Sequence, residues 1–186
     1  MKYTIACFMI LIISFAGCKT DKKATLEHDI KLLEQGQEIT ALTFQALATE
    51  LQGVMQKGGV AGAVQYCNLE AMPITDSLSA KYNVKIKRTS GKTRNPFNKP
   101  NVEEQHYLNV YKNQLESGMK LSPKLIKKEA TKFYAPIMVN DFCLKCHGLK
   151  SEIKDYESIA NLYPFDKATG YSAGDLRGMW SVTFLE

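Results

Sequence analysis

From Leu26 the apolar positions recur at alternating steps of four and three: Leu26, Ile30 and Leu33, then polar Gln37 and Thr40, then Phe44, Leu47, Leu51 and Val54. This spacing predicts a long amphipathic helix whose stripe faces a core, with polar interruptions at its middle. The same seam would serve a homodimer, as in a coiled coil. Gly58-Gly59 breaks the pattern, and Val60, Ala63, Val64, Cys67 and Ala71 open a second helical stripe, with the cysteine on its apolar side. Pro73 is expected to end or restart that helix, because proline lacks the amide proton a helix interior needs.

Beyond it, Val84-Lys85-Ile86-Lys87-Arg88 alternates as a strand does. The stretch 94–100, with two prolines and two asparagines, reads as a turn-rich loop. Asn101 followed three residues later by Glu104 is a capping-box start for a helix running to about Glu116. Residues 132–139 predict a strand, kinked or at a sheet edge because of Pro136. Asp155 to Leu162 predicts a short helix, and the turn 174–178 leads into a closing strand over 179–184. Helices with well-separated antiparallel strands give an α+β fold.

The first residues read as an address. Lys2 precedes nine unbroken apolar positions, Ile5 to Ile13, too few for a spanning helix and suited to a secretory signal. Phe15-Ala16-Gly17-Cys18 resembles a bacterial lipobox, with Phe15 where leucine is usual. The expected organisation is a signal peptide over 1–17, a polar tether over 18–25 beginning with lipidated Cys18, and one domain over 26–186. That places the protein in the bacterial envelope, held to a membrane by acyl chains and facing the periplasm, at the outer rather than the inner membrane.

Composition adds exclusions. The chain has 186 residues, 45% hydrophobic and 23% charged, which is ordinary for one globular domain and leaves no room for an effector domain. Its net charge of +5 comes with no dense basic stripe carrying interleaved aromatics, so nucleic acid is not an expected partner.

The chemistry lies in the cysteines. Of five, Cys7 leaves with the signal and Cys18 takes lipid. Cys143-Leu144-Lys145-Cys146-His147 is the attachment signal for c-type haem. Two thiols three apart lie on one side of a helical turn and add across the two vinyl groups of the porphyrin. The adjacent imidazole then reaches the iron on one face. Shuffling this composition produces the motif in only about 0.002 of chains, so the signal is specific. Haem attachment outside the cytoplasm agrees with the independent export signal. Three rival readings use the same residues: a thioredoxin-like pair, which expects a βαβ unit; a zinc site of Cys67, Cys143, Cys146 and His147; and a plain disulfide.

A sixth iron ligand is open on the residues alone. The candidates are methionine, histidine, lysine and Cys67: His28 reads as solvated beside the tether, His106 as a surface or hydrogen-bonding residue, and the methionines as core filler. Cys67 reads as a buried thiol or as a ligand.

Five segments, in order, carry a resemblance: Ala63-Val64-Gln65-Tyr66-Cys67; Arg88 with the loop Arg94 to Pro100; Tyr134-Ala135-Pro136-Ile137; the Cys143 to Gly148 motif; and Tyr171 to Gly178. Through them the chain, from about Glu38 to its end, resembles a bacterial family of c-type haem proteins with a PAS-like fold, found alone and as sensory modules of signalling proteins. The resemblance implies an antiparallel PAS-like sheet flanked by helices, here with a long N-terminal helix. It implies one covalent haem c with iron held by a histidine and a cysteine thiolate, at the positions matching His147 and Cys67. A thiolate favours ferric iron, and its release on reduction would make a redox switch open to CO or NO. Arg88 and Arg94 are candidate partners for the haem propionates, or ordinary solvated and sheet-edge arginines.

The expected function is electron transfer or redox and gas sensing with an unidentified redox or signalling partner protein, and no catalytic residue is assigned. The alternatives are a haem peroxidase or sulfur-compound oxidoreductase, for which His106 is the only plausible acid/base imidazole, and a haem-free thiol–disulfide protein.

Overall fold

The structure, a computed structural model, describes residues 18–185, so the signal segment 1–17 and its lipobox approach lie outside the described residues. Helix α1 spans Cys18–Tyr82 and is bent at Gly59, whose backbone (φ 60°, ψ −154°) is open only to glycine. The expected break at the glycine pair is therefore present, as a sharp corner inside one long helical element. The segment expected as a polar tether is helical, and its side chains from Lys22 to His28 are exposed.

The first arm of α1 buries a face offset from the anticipated stripe. Gly36, Ile39, Thr40, Thr43 and Leu47 are buried, while Gln37 and Phe44 are exposed. The two threonines are tolerated because their hydroxyls donate to carbonyls one turn back, Thr40 to Gly36 at 2.9 Å and Thr43 to Ile39 at 2.7 Å. Pro73 does not end the second arm, which runs on to Tyr82. The proline is exposed and so is Leu69, whose carbonyl loses its amide partner to the proline and can turn to water. Ile74, Leu78 and Tyr82 then pack on the core and hold the continuation in place.

Four strands form one antiparallel sheet in the order β1 (Val84–Thr89), β4 (Leu176–Phe184), β3 (Thr131–Met138), β2 (Lys124–Lys127). Strand β2 carries no alternation that separates it from its lysine-rich flanks, and the pattern of the sequence does not announce it. The predicted edge position of Pro136 holds only locally. Strand β3 is internal, but β2 pairs with it only from Thr131 to Tyr134, so Pro136 lies where that flank of β3 is free. An irregularity at Ile137/Met138 supplies the kink.

Side chains alternate across the sheet. Val84, Ile86, Phe133, Ala135, Trp180 and Val182 face both arms of α1. Tyr134 and Met179 face Leu108 and Tyr111 of α2 (Val102–Glu116) on the other side. The α2 start is a complete capping box: Asn101 accepts from the Glu104 amide and Glu104 from the Asn101 amide, as the sequence predicts. The α+β architecture with a flanked antiparallel sheet is thus present. Among the described residues no helix is long and apolar enough to cross a membrane.

Gly36 shows how closely α1 approaches the sheet. A Cβ placed there would run into the ring of Phe133, which is fully buried. Gly36→Ala is therefore expected to lower unfolding free energy by about 1–3 kcal/mol. A urea midpoint equal to that of the wild type would disprove the close approach.

Candidate functional site

After β3 the chain turns into two short helices, α3 (Asp141–His147) and α4 (Tyr156–Leu162). Asn140 caps α3, its side chain accepting from the Cys143 amide at 3.1 Å, and the Gly148 amide donates to the Leu144 carbonyl at its end. Asn140 is a cap that the sequence analysis does not single out, although asparagine immediately before a helix, followed by an acidic first residue, is a recognisable signal. The helix sets Cys143 and Cys146 one turn apart. Cys146 packs with Val60, Val64, Ile153 and Tyr156, so α3 and α4 are fastened to the second arm of α1 close to Gly59.

One turn beyond Val64 on that arm stands Cys67. It lines a cleft of about 230 Å³ together with Cys143 and His147. The remaining walls follow from sheet register. Arg88, Trp180 and Ile137 share the α1-facing side of their strands, and Ala71 and Phe44 close the cleft from α1. Arg94 and Arg177 complete it. The sequence-predicted residues Cys67, Arg88, Arg94, Cys143 and His147 thus converge, and Cys146, one turn on from Cys143, packs against α1 and α4. Of the Cys18 side chain the structure describes nothing. Arg177 was not singled out as a site residue, although it stands inside the Tyr171 to Gly178 segment that carries the family resemblance.

The imidazole of His147 is oriented from behind. Its Nδ1 lies 2.6 Å from the carbonyl oxygen of Ala168. Only a protonated Nδ1 can pair with a carbonyl, so this nitrogen donates and Nε2 keeps its lone pair. Burial, reinforced by the nearby Arg177 and Arg94 guanidiniums, holds His147 well below the ordinary histidine range, against the opposing pull of the Ala168 carbonyl. The ring is neutral at physiological pH, as a metal ligand must be. Tyr171 meets it edge-on at 6.4 Å between centroids.

Burial pushes the Cys67 thiol above the ordinary cysteine range, while Arg88 and Arg94 pull it down. Cys67, Cys143 and Cys146 are all free thiols. The guanidinium of Arg88 lies over the Trp180 ring at 5.9 Å, and burial lowers its pKa. That of Arg177 lies over Tyr171 at 5.3 Å, donates to the Lys92 carbonyl at 3.2 Å, and is likewise lowered by burial. Arg94 is committed differently from the expectation of a propionate contact alone. Its Nη2 donates to the Cys146 carbonyl at 2.6 Å and to Asp166 at 2.9 Å, while its buried Nε has no partner.

Several rival readings lose their geometry. No group of three or more histidine, cysteine, aspartate or glutamate side chains is placed to hold a metal ion among the described residues, so the Cys₃His zinc site is not formed. The sheet is antiparallel throughout and the cysteine pair opens no βαβ unit, unlike a thioredoxin-like motif. His28 and His106 are exposed, and His106 rides on α2, which packs on the sheet face away from the cleft. The arrangement gathers one neutral imidazole with a free lone pair, one thiol from a different helix, two thiols a turn apart, and arginines around apolar walls.

A family model described as Tll0287-like matches residues 22–184. The crystal structure of the cyanobacterial haem protein Tll0287 is similar, with a TM-score of 0.60 and 26% identity, over 82% of this chain and 95% of that one. No curated protein matches the chain significantly.

Proposed function

The chain belongs to the Tll0287-like family, and on that premise we propose that it is an envelope-anchored monohaem protein of the c type, acting in electron transfer or in redox and gas sensing. The reading is carried by one observation: Cys143, His147 and Cys67 line a single cleft, with His147 turned so that Nε2 is free. The residues present suit a porphyrin. Trp180, Ile137, Ala71 and Phe44 supply apolar walls for the macrocycle. Arg88, Arg177 and the unpartnered Nε of Arg94 supply positive charge for its carboxylates.

Haem bound there would supply a reversible one-electron iron couple. Cys143 and Cys146 would hold it as thioethers, His147 would bind the iron from α3, and Cys67 would bind it from α1. As a thiolate, Cys67 donates electron density and favours the oxidised state. Reduction of a bound haem would remove a positive charge from its neighbourhood, and burial already favours the protonated sulfur. Were Cys67 released on reduction, the cleft would be open to small gases on that side, while Ala71, Ile74 and Leu78 would still hold the arm beyond Gly59 against the sheet. The same cleft in which Cys67 stays bound in both states would serve as an electron carrier.

The acyl anchor is assigned to Cys18, holding the domain on the periplasmic side of the outer membrane rather than the inner, and the partner is a redox or signalling protein. Full-length protein produced with a haem-maturation system is expected to be red, with a pyridine haemochrome spectrum of the thioether-linked type and one haem per chain. Colourless protein from such cells would overturn the reading.

A further inference from the structure

The pair Arg94–Asp166 is more enclosed than a surface ion pair, with the two side chains 12% and 1% exposed. A pair this deep contributes little net stability, because desolvating both charges offsets most of their attraction. Its hydrogen bonds give it another use. Asp166 accepts from Arg94 Nη2 through Oδ2 at 2.9 Å and from the Ala168 amide through Oδ1 at 2.8 Å. Ala168, fully buried, accepts from His147 Nδ1 at 2.6 Å. Arg94 Nη2 closes the circuit on the Cys146 carbonyl at 2.6 Å. The Ala168 residue is therefore gripped at its amide by Asp166 and at its carbonyl by His147. The loop around it is stitched down as well: the Lys167 amide donates to Thr93 at 3.0 Å, the Gly170 amide to Gly148 at 2.8 Å and the Tyr171 amide to His147 at 3.0 Å.

We propose that Asp166 is a positioning residue for His147: through the Ala168 backbone on one side and Arg94 on the other, it fixes the tautomer and the aim of the imidazole toward the iron. This rests on the haem reading above, and assigns Arg94 a structural duty besides any contact with propionates. A carbonyl held rigidly behind Nδ1–H makes the imidazole a stronger donor and favours the oxidised iron. Loosening it weakens both effects.

The test compares Asp166→Ala and Asp166→Asn with Glu104→Gln, another buried acid in an ion pair, with Lys87, remote in role from the cleft. Full-length, haem-loaded protein is used. All three variants are expected to retain covalent haem, since both motif cysteines are intact. In Asp166→Ala the midpoint potential rises and the His147 ring N–H, followed by NMR in the ferrous state, exchanges with water about tenfold faster. The potential alone would also respond to the lost negative charge, so the ring N–H is the deciding readout. Asp166→Asn keeps an acceptor for the Ala168 amide and shifts both quantities in the same direction by less. If the alanine variant does not accumulate, this variant carries the test. Glu104→Gln lowers thermal stability and moves neither quantity. Ring exchange unchanged from wild type in the Asp166 variants overturns the proposal. If the wild type takes up no haem, the haem reading fails instead. The proposal is then read from ¹⁵N NMR of the full chain: a single Nδ1–H tautomer in the wild type that becomes mixed in Asp166→Ala supports it, and the same tautomer population in both overturns it.

Discussion

Protein carrying Cys143→Ala together with Cys146→Ala is expected to lose all covalently held haem: acid–acetone should extract the porphyrin completely from the variant and leave it on the wild type. The reason is positional. Thioether bonds need two sulfurs on one side of a helical turn, and the Asn140 cap and Gly148 end hold α3 in that turn. The two sulfurs are not equivalent. Cys143 lines the cleft, with its Sγ 3.2 Å from the Asn140 side-chain oxygen. Cys146 packs among Val60, Val64 and Ile153, and burial raises its pKa, with Arg94 the largest opposing influence. Cys146→Ala alone should therefore cost about 1 kcal/mol of stability as well as one thioether, whereas Cys143→Ala should remove the thioether with little change in stability. Equal porphyrin retention in the double variant and the wild type would show that these cysteines are not the attachment points.

Much of this was legible in the sequence because several local signals agreed. The capping box at Asn101 and Glu104, the alternation of β1, the glycine pair and the Cys-x-x-Cys-His spacing each have a short-range physical cause, so a single sequence is enough to see them. What escaped it depends on long-range packing. Gln37 and Phe44 fit a helical seam as well as Gly36 and Thr43 do, and only the approach of the Phe133 ring decides which face is buried. Pro73 would end an isolated helix. Here it sits on an exposed face while Ile74 and Leu78 are pulled onto the sheet, and tertiary burial outweighs one lost hydrogen bond. In the site, the motif announced Cys143, Cys146 and His147. The gathering of Arg88 and Arg177 around them is a matter of sheet register, and that of Cys67 of how the second arm of α1 packs on the sheet. Asp166 has no motif at all. Its importance lies in a circuit of hydrogen bonds between residues some 70 positions apart, from Arg94 to Asp166.

Cys67→Ala is expected to leave haem attached but to change its electronic state. The ferric spectrum should lose its thiolate signature, and the midpoint potential should rise on the order of 0.1 V, within the ~0.8 V that axial ligands command in haem proteins. The fold should persist, since removing one half-buried sulfur costs about 1 kcal/mol. The wild type carries a further, pH-dependent mark that the variant should lack. Burial holds the free Cys67 thiol above the ordinary cysteine range even with Arg88 and Arg94 opposing it. At neutral pH the sulfur is therefore protonated unless iron displaces the proton. Each thiolate bond formed releases one proton, so acidification must favour the unbound form: the thiolate-bound ferric fraction falls as pH falls and never rises. Replacing Arg88 with glutamine removes one cation that stabilises the thiolate, and should move that transition to higher pH. A ferric spectrum and potential in Cys67→Ala identical to those of the wild type would make Cys67 a packing residue, and the second iron ligand would have to be sought elsewhere. His106 cannot supply it from α2 on the opposite face of the sheet, whereas Met72 lines the cleft and would be the next residue to replace.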